Sequence, residues 1–270
     1  MGNAAGRLAR SDFWVMGVDD LMYPADTGFT ARLRENIAGS FNHMVRKDKN
    51  RRELTAAFAR NLERSGCRLA NPAAVKPAEL ALALPALVQT LGELRPESLP
   101  ETLGRLYGTD YSAVPADAGL VEAFDTARRK EVEIFIYTDT PSGKQKGEKL
   151  HVQRVLEAVG FDQEMIDYLR PRTYDLLDAV RAGHAASFAR HSPVALRSFM
   201  SFAGIVPQRT LMADASLRRL EAGARAGCEA LWVWNSEREK SPAEVSRARL
   251  IGAATTRHSG IALQRIAMAR

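Results

Sequence analysis

The sequence has 270 residues, of which 46% are hydrophobic and 26% charged, with 19 glycines and 12 prolines spread along the chain. This composition excludes collagen-like and low-complexity proteins, and the sequence has no apolar run long enough to span a membrane. The net charge of +6 comes from the ends, because residues 1–11 carry two arginines and no acid while residues 236–270 carry seven basic and three acidic residues. The body between them is neutral, which argues against sequence-specific nucleic-acid binding.

Four short apolar segments predict buried β-strands, at residues 13–18, 132–137, 210–213 and 230–234. Their apolar character is nearly continuous, which is typical of strands in a parallel sheet that is covered on both faces. Helical patterns lie between the later strands, at residues 146–159, 193–203 and 217–226. Alternating strands and helices predict an α/β domain with a Rossmann-like, doubly wound sheet.

Residues 25–115 interrupt this alternation, because they contain helical patterns and no strand pattern. The helical stretches lie at residues 29–45, 51–65, 77–94 and 99–107. We therefore predict an α/β core of residues 12–24 and 116–235, an all-helical cap of residues 25–115 and a basic C-terminal extension of residues 236–270.

The pattern of the C-terminal extension predicts a helical tail with two weakly helical segments, at residues 242–253 and 260–269. Within residues 259–270, apolar side chains alternate with Arg265 and Arg270. A short helix of this kind could lie on an anionic membrane surface or in the groove of a protein partner. A solvated tail is the simpler interpretation.

The sequence predicts a cytoplasmic protein. Its N-terminal segment lacks the apolar stretch of a signal peptide, and Cys67 and Cys228 show no metal-ligand spacing. Neither a dinucleotide-binding glycine motif, nor a P-loop, nor a serine-nucleophile elbow is present.

Polar residues follow three of the predicted strands. They are Asp19 and Asp20 after the first strand, Thr138 and Asp139 after the second, and Asp214 after the third. Because ligands bind at the carboxyl ends of strands in open α/β sheets, these residues are candidate site residues. Arg190, which precedes the helix at 193–203, is a candidate cation for the same site.

The segments around these residues read VMGVDDLMYPADTG (15–28), DYSAVP (110–115), IFIYTDTPSGK (134–144) and TLMADASLRRL (210–220). In this order they resemble the haloacid dehalogenase superfamily of phosphohydrolases, and more narrowly its pyrimidine 5′-nucleotidase-like branch. The branch has D-x-D-x-T-L-Y-P at the first site and D-D-S-x-x-N-L at the last. The resemblance covers about residues 12–235 and implies a core with a helical cap inserted after the first strand.

The resemblance implies a nucleophilic aspartate, which attacks phosphorus, and a second aspartate two residues later that acts as acid and base. When Tyr23-Pro24 anchors the alignment, Asp19 takes the acid/base position and Gly17 the nucleophile position. Glycine cannot form an aspartyl-phosphate, so the chain lacks the nucleophile.

The other motifs depart from the family as well. Thr138 keeps the phosphate-binding hydroxyl, but Asp139 follows it and Arg190 replaces a lysine. The resemblance implies Mg²⁺ as cofactor, yet Gly17 and Ala215 replace two of its ligands, which leaves Asp214 as the remaining carboxylate.

These departures favour a catalytically degenerate protein that binds a small molecule in the cleft between cap and core, or binds a protein partner. An alternative is an enzyme that uses Asp19 as general acid/base without a covalent intermediate, with one of the clustered carboxyl groups having a raised pKa. A third possibility is residual hydrolysis of nucleoside monophosphates by direct attack of water.

Overall fold

The computed structural model describes residues 8–25, 27–143, 149–183 and 191–270. Its centre is a six-stranded, all-parallel sheet with the strand order β3-β2-β1-β4-β5-β6. The strands are β1 (Phe13–Met16), β2 (Glu133–Tyr137), β3 (Thr173–Tyr174), β4 (Thr210–Asp214), β5 (Glu229–Trp234) and β6 (Ala254–Arg257). The predicted α/β fold with a Rossmann-like parallel sheet is confirmed, including all four predicted strands.

Five helices lie between β1 and β2 in the chain: α1 (Gly28–Lys47), α2 (Arg51–Arg64), α3 (Leu80–Leu94), α4 (Leu99–Leu106) and α5 (Ala118–Arg129). The first four agree with the helical stretches predicted for the cap. The apolar faces of α1 and α2 are buried and join one continuous core, and in this core Phe41 of α1 meets Phe58 of α2 with ring centroids 5.1 Å apart.

The other α-helices of the described residues lie after β2, and all but the last connect strands. They are α6 (His151–Val159), α7 (Gln163–Leu169), α8 (Leu176–Arg181), α9 (Pro193–Phe202), α10 (Leu217–Ala226), α11 (Pro242–Leu250) and α12 (Ser259–Ala269). Ser216 caps the N-terminus of α10, where its hydroxyl accepts a hydrogen bond from the Arg219 backbone. The helix therefore starts directly after β4, and its first turn lies at the carboxyl end of the sheet.

The prediction of a purely helical tail after residue 235 is wrong. The two predicted helices are present as α11 and α12, but β6 lies between them and pairs in parallel with β5 along residues 231–234. The sequence ATTR gave no apolar strand signal because β6 is the edge strand, and its residues are only partly buried or exposed.

The fold covers only part of the apolar face of α12, because Ile261 and Met268 remain 53% and 59% exposed. Docking of this segment on a membrane or a protein partner therefore stays a prediction. Leu263 and Ile266 are buried against the rest of the protein, and α12 packs closely on α5. Arg270 forms an ion pair with Asp12 at 2.9 Å, so the end of the chain returns to the beginning of β1. No helix in the described part of the chain is long and apolar enough to cross a membrane.

The strand order reverses between β1 and β4, and this switch point is where an open α/β sheet forms a ligand crevice. The register pairs Met16 with Ala213, which brings the next residues, Gly17 and Asp214, side by side at the carboxyl end. The Gly17 amide donates a hydrogen bond to the Ala213 carbonyl at 3.0 Å.

Candidate functional site

The space next to Gly17 is filled by the side chain of Asp214. A Cβ atom built on Gly17 would lie 2.7 Å from Asp214 Cγ and 3.1 Å from its Oδ1. The first distance is far shorter than van der Waals contact and the second is tighter than usual, so a larger residue at position 17 cannot coexist with the present Asp214 rotamer. The glycine and the inward-facing aspartate are therefore complementary in shape.

Arg219, in the first turn of α10, joins Asp214 to Asp139. Its Nε lies 2.9 Å from Asp214 Oδ2, and its Nη1 donates a hydrogen bond to Asp139 Oδ1 at 2.9 Å. The Arg219 side chain is 6% exposed and that of Asp214 is fully buried. We call Asp139, Asp214 and Arg219 the ion cluster.

Burial and opposite charge act against each other within the ion cluster. Burial raises the pKa of Asp214 to about 6, although Arg219 and the Ser216 backbone amide favour its charged form. Burial lowers the pKa of Arg219, but the Asp214, Asp139 and Asp19 charges outweigh it and raise that pKa overall. The raised pKa expected for one of the clustered carboxyl groups is therefore found on Asp214.

His191 lies beside the ion cluster, in a left-handed backbone conformation with φ of 50°. Burial lowers the pKa of His191 to about 4, and the Arg219 charge acts in the same direction while Asp139 opposes it. His191 is therefore neutral at pH 7.

Asp19 belongs to a second group of side chains, which lies next to α1. The Tyr23 hydroxyl donates a 2.5 Å hydrogen bond to Asp19 Oδ1, and His151 Nε2 lies 3.7 Å from the same oxygen. Burial raises the pKa of Asp19, but His151, Tyr23 and Arg219 outweigh it, so the pKa is lowered. The Asp19 side chain remains 37% exposed.

Four aromatic residues surround His151, and they come from two stretches of the chain, residues 23–29 and 107–111. The Tyr111 hydroxyl is 2.9 Å from His151 Nδ1, and the His151 ring stacks on Phe29 of α1 with centroids 6.4 Å apart. We call Asp19, Tyr23, Tyr111 and His151 the Asp19 cluster. Next to it, the buried Tyr107 hydroxyl has no hydrogen-bond partner among the described residues.

Asp20 was predicted to bind a ligand, but its carboxylate is hydrogen-bonded to other parts of the protein. Its carboxylate accepts hydrogen bonds from the amides of Ala25 at 3.1 Å and Ser236 at 2.8 Å, and from the Ser236 hydroxyl at 2.9 Å. Lys240 Nζ lies 3.6 Å from the same carboxylate. Asp20 therefore holds the loop after β1 against the end of β5.

The residues that were predicted to bind phosphate and that the structure describes do not present free hydrogen-bond donors or positive charge to an anion. The Thr138 hydroxyl is fully buried and bonded to the Thr140 hydroxyl at 2.8 Å. Asp139 contributes a carboxylate that is already bound to Arg219. Arg190, the predicted cation, lies outside the described residues.

The described residues do not fit the Mg²⁺ that the family resemblance implies. No group of three or more histidine, cysteine or carboxylate side chains within the described ranges is arranged to hold a metal ion. Gly17 and Ala215 have no oxygen-bearing side chain, and Asp214 is engaged by a guanidinium. The site thus lacks the set of oxygen ligands that a hard divalent cation requires.

Sequence reasoning missed Arg219 and His151. Arg219 takes the place of the asparagine in the D-D-S-x-x-N-L pattern, so a closer comparison of DASLRRL with that pattern could have singled it out. His151 carried no such signal, because its contacts with Tyr23 and Tyr111 join residues 128 and 40 positions apart.

The likeness to known proteins is structural. No family model and no curated protein sequence matches the chain. A Thermotoga maritima protein named as a candidate β-phosphoglucomutase is 15% identical, with a TM-score of 0.50 over 93% of this chain and 96% of that one. A haloacid dehalogenase family hydrolase from Deinococcus radiodurans is 16% identical, with a TM-score of 0.48 over 94% of each chain. At these identities the likeness concerns the fold alone, an α/β fold with a parallel sheet flanked by helices.

Proposed function

We propose that this chain is a catalytically degenerate relative of the haloacid dehalogenase-like phosphohydrolases, which binds a ligand without forming a phosphoenzyme. The observation that carries the proposal is the contact between Gly17 and Asp214. The position of the nucleophile has no side chain, and a buried carboxylate occupies the space that a nucleophile would need.

The charges near the strand ends support a ligand other than a phosphate ester. Among the described residues, Asp19, Asp139 and Asp214 face one guanidinium, that of Arg219, which is already bound to two of them. A phosphate dianion placed there would meet carboxylates and, among the described residues, no free cation. A neutral or cationic small molecule that contacts Asp19 agrees better with this arrangement.

The pyrimidine 5′-nucleotidase-like branch remains the relationship that the sequence motifs favour. Nucleotides are not proposed as substrates of this chain, because nucleotide hydrolysis in that branch depends on the aspartate that Gly17 replaces. A protein partner is the other class of ligand that this proposal includes.

One observation favours a second function, non-covalent acid/base catalysis by Asp19. Its carboxylate is partly exposed, is held by Tyr23 and lies beside His151. The lowered pKa makes Asp19 a carboxylate at neutral pH, so it would act as a base and not as an acid.

Two assays test the proposal with the wild type, Asp19→Asn and Asp125→Asn, a matched control on the exposed side of α5. The first measures phosphate release from nucleoside monophosphates in MgCl₂, and we expect no release above the buffer blank for any of the three proteins. Release by the wild type and Asp125→Asn that Asp19→Asn abolishes would contradict the proposal.

The second assay measures the melting temperature, Tm, with a panel of amines, neutral metabolites and inorganic phosphate. We expect at least one amine or neutral compound to raise Tm of the wild type and Asp125→Asn but not of Asp19→Asn. A rise in Tm with inorganic phosphate and with no other compound would contradict the proposal that the ligand is neutral or cationic.

A further inference from the structure

Arg219 is the unusual member of the site, because a buried guanidinium is costly unless its charge is compensated. The compensation comes from the ends of two strands that flank β1 in the sheet. Asp214 ends β4 and Asp139 follows β2, and each places a carboxylate oxygen 2.9 Å from an Arg219 nitrogen.

Arg219 reaches both carboxylates because of where α10 begins. Asp214 Oδ1 accepts a 2.6 Å hydrogen bond from the Ser216 amide, and Ser216 in turn caps the helix. The tight connection from Asp214 to Ser216 places the start of α10 over the ends of the strands. The long side chain of Arg219 therefore extends back across the strand ends. Arg218, the preceding residue, is exposed.

Without Arg219, the described residues would leave two carboxylates close together at a buried edge of the sheet, with Asp19 near them. Proteins stabilise such groupings with a bound cation or a basic side chain, or by protonation. The described residues do not form a metal site, and a guanidinium is present instead. Its Nη1 donates a hydrogen bond to Asp139, while its Nε lies 2.9 Å from Asp214 Oδ2 without hydrogen-bond geometry, so one guanidinium places its positive charge against both carboxylates.

We propose that Arg219 is a built-in cation that takes over the charge-balancing role of a divalent metal at this site, so that the folded protein needs no metal ion. This inference concerns charge balance and does not depend on the ligand proposed above. It can be correct even if the protein proves to be an enzyme, and it can fail while the protein remains inactive.

The test compares thermal unfolding of four proteins at neutral pH, each with and without millimolar MgCl₂ at matched ionic strength. They are the wild type, Arg219→Met, the exposed control Arg218→Met, and the triple variant Arg219→Met/Asp139→Asn/Asp214→Asn. Phosphate release is measured on the same samples, so that a failure of the proposed function is seen separately.

We expect Tm of the wild type and of Arg218→Met to be unaffected by MgCl₂ and close to each other. We expect the Tm of Arg219→Met to lie far below that of the wild type. The Tm of the triple variant should return most of the way to the wild-type value, because it no longer has the two uncompensated carboxylates. If Arg219→Met does not fold at all, the triple variant must still fold.

Two results would overturn the proposal. A wild-type Tm that rises and saturates with MgCl₂ would mean that a metal ion does bind and stabilise the fold. A triple variant as unstable as Arg219→Met would mean that Arg219 acts through packing and not through its charge.

Discussion

The ion cluster and the Asp19 cluster lie next to each other at the carboxyl end of the sheet, yet they differ in how their carboxylates are compensated, by a guanidinium in the first and by a tyrosine hydroxyl beside a histidine in the second. In the ion cluster, Arg219 pairs with the fully buried Asp214 and with Asp139, whose side chain is 30% exposed, and Asp214 Oδ2 and Arg219 Nε have no hydrogen-bond partner among the described residues. In the Asp19 cluster, the carboxylate of Asp19 is 37% exposed, and the neighbouring Tyr107 hydroxyl has no partner among the described residues.

The difference separates two positions that are only two residues apart in sequence. Position 17, where the resemblance implies the nucleophile, is closed by a carboxylate that belongs to the fold. Position 19 keeps a partly accessible charged group with a defined orientation. Any ligand chemistry that remains is therefore expected at Asp19, whereas the ion cluster contributes to stability.

The largest expected effect comes from refilling position 17. Gly17→Asp adds a side chain where Asp214 already lies and buries a further negative charge, so we expect it to lower the free energy of unfolding by more than about 3 kcal/mol. It should also fail to restore phosphatase activity, because the added carboxylate has no space to reach a substrate.

Chemical denaturation, together with a phosphate-release assay, measures both effects. The matched control is Gly39→Asp in α1, where a Cβ atom would meet nothing within 4 Å. The control should change stability by no more than about 1 kcal/mol. A stable, active Gly17→Asp would show that Asp214 can move aside and would remove the distinction between the two clusters.

A smaller effect is expected in the Asp19 cluster. Tyr23→Phe removes the 2.5 Å hydrogen bond to Asp19, so the pKa of Asp19 should rise and the free energy of unfolding should fall by about 1–2 kcal/mol at neutral pH. Because this bond favours the charged carboxylate, the loss should vanish only in stronger acid, as the pH falls through the lowered pKa of Asp19 in the folded protein.

An NMR titration of the labelled Asp19 carboxyl carbon reports the pKa directly. Tyr111→Phe is the control, since its hydroxyl contacts His151 and makes no hydrogen bond to Asp19. An unchanged pKa of Asp19 in Tyr23→Phe would mean that the short hydrogen bond does not hold the carboxylate.

The smallest effect concerns His191 at the border of the ion cluster. Its pKa is lowered from 6.5 to about 4 in the folded protein. Between these values the unfolded chain binds the proton and the folded protein does not, so His191 makes stability rise with pH through this range. His191→Asn removes this contribution, while the contribution of Asp214 stays in both proteins.

We expect the wild type to lose about 1 kcal/mol relative to His191→Asn when the pH falls from 7 to near 5.5, a value reduced for partial exposure. Denaturation curves of both proteins at several pH values measure the difference. A difference that does not change with pH would mean that His191 titrates normally and lies outside the electrostatic influence of the cluster.

The strands at the centre of the sheet could be predicted from the sequence, whereas those at its edges could not. β1, β2, β4 and β5 were predictable because burial on both faces demands continuous apolar residues. β3 has two residues and β6 is partly polar, so neither gives a pattern that differs from a loop. The helices of the cap were predictable from their apolar periodicity.

The site shows the same division. The missing side chain of Gly17 could be read from the sequence, as could the positions of Asp19, Asp139 and Asp214 at strand ends. That Asp214 turns into the space beside Gly17, and that Arg219 binds it, depends on side-chain orientation and on where α10 begins. These features arise from tertiary packing and have no local signature in the sequence.

The most direct test of the central claim is a crystal structure of the wild-type protein grown with MgCl₂ and inorganic phosphate. The account predicts that Asp214 lies against Gly17, that Arg219 bridges Asp139 and Asp214, and that neither ion is bound to these carboxylates. A Mg²⁺ ion coordinated by Asp214, with Arg219 displaced from it, would contradict the account.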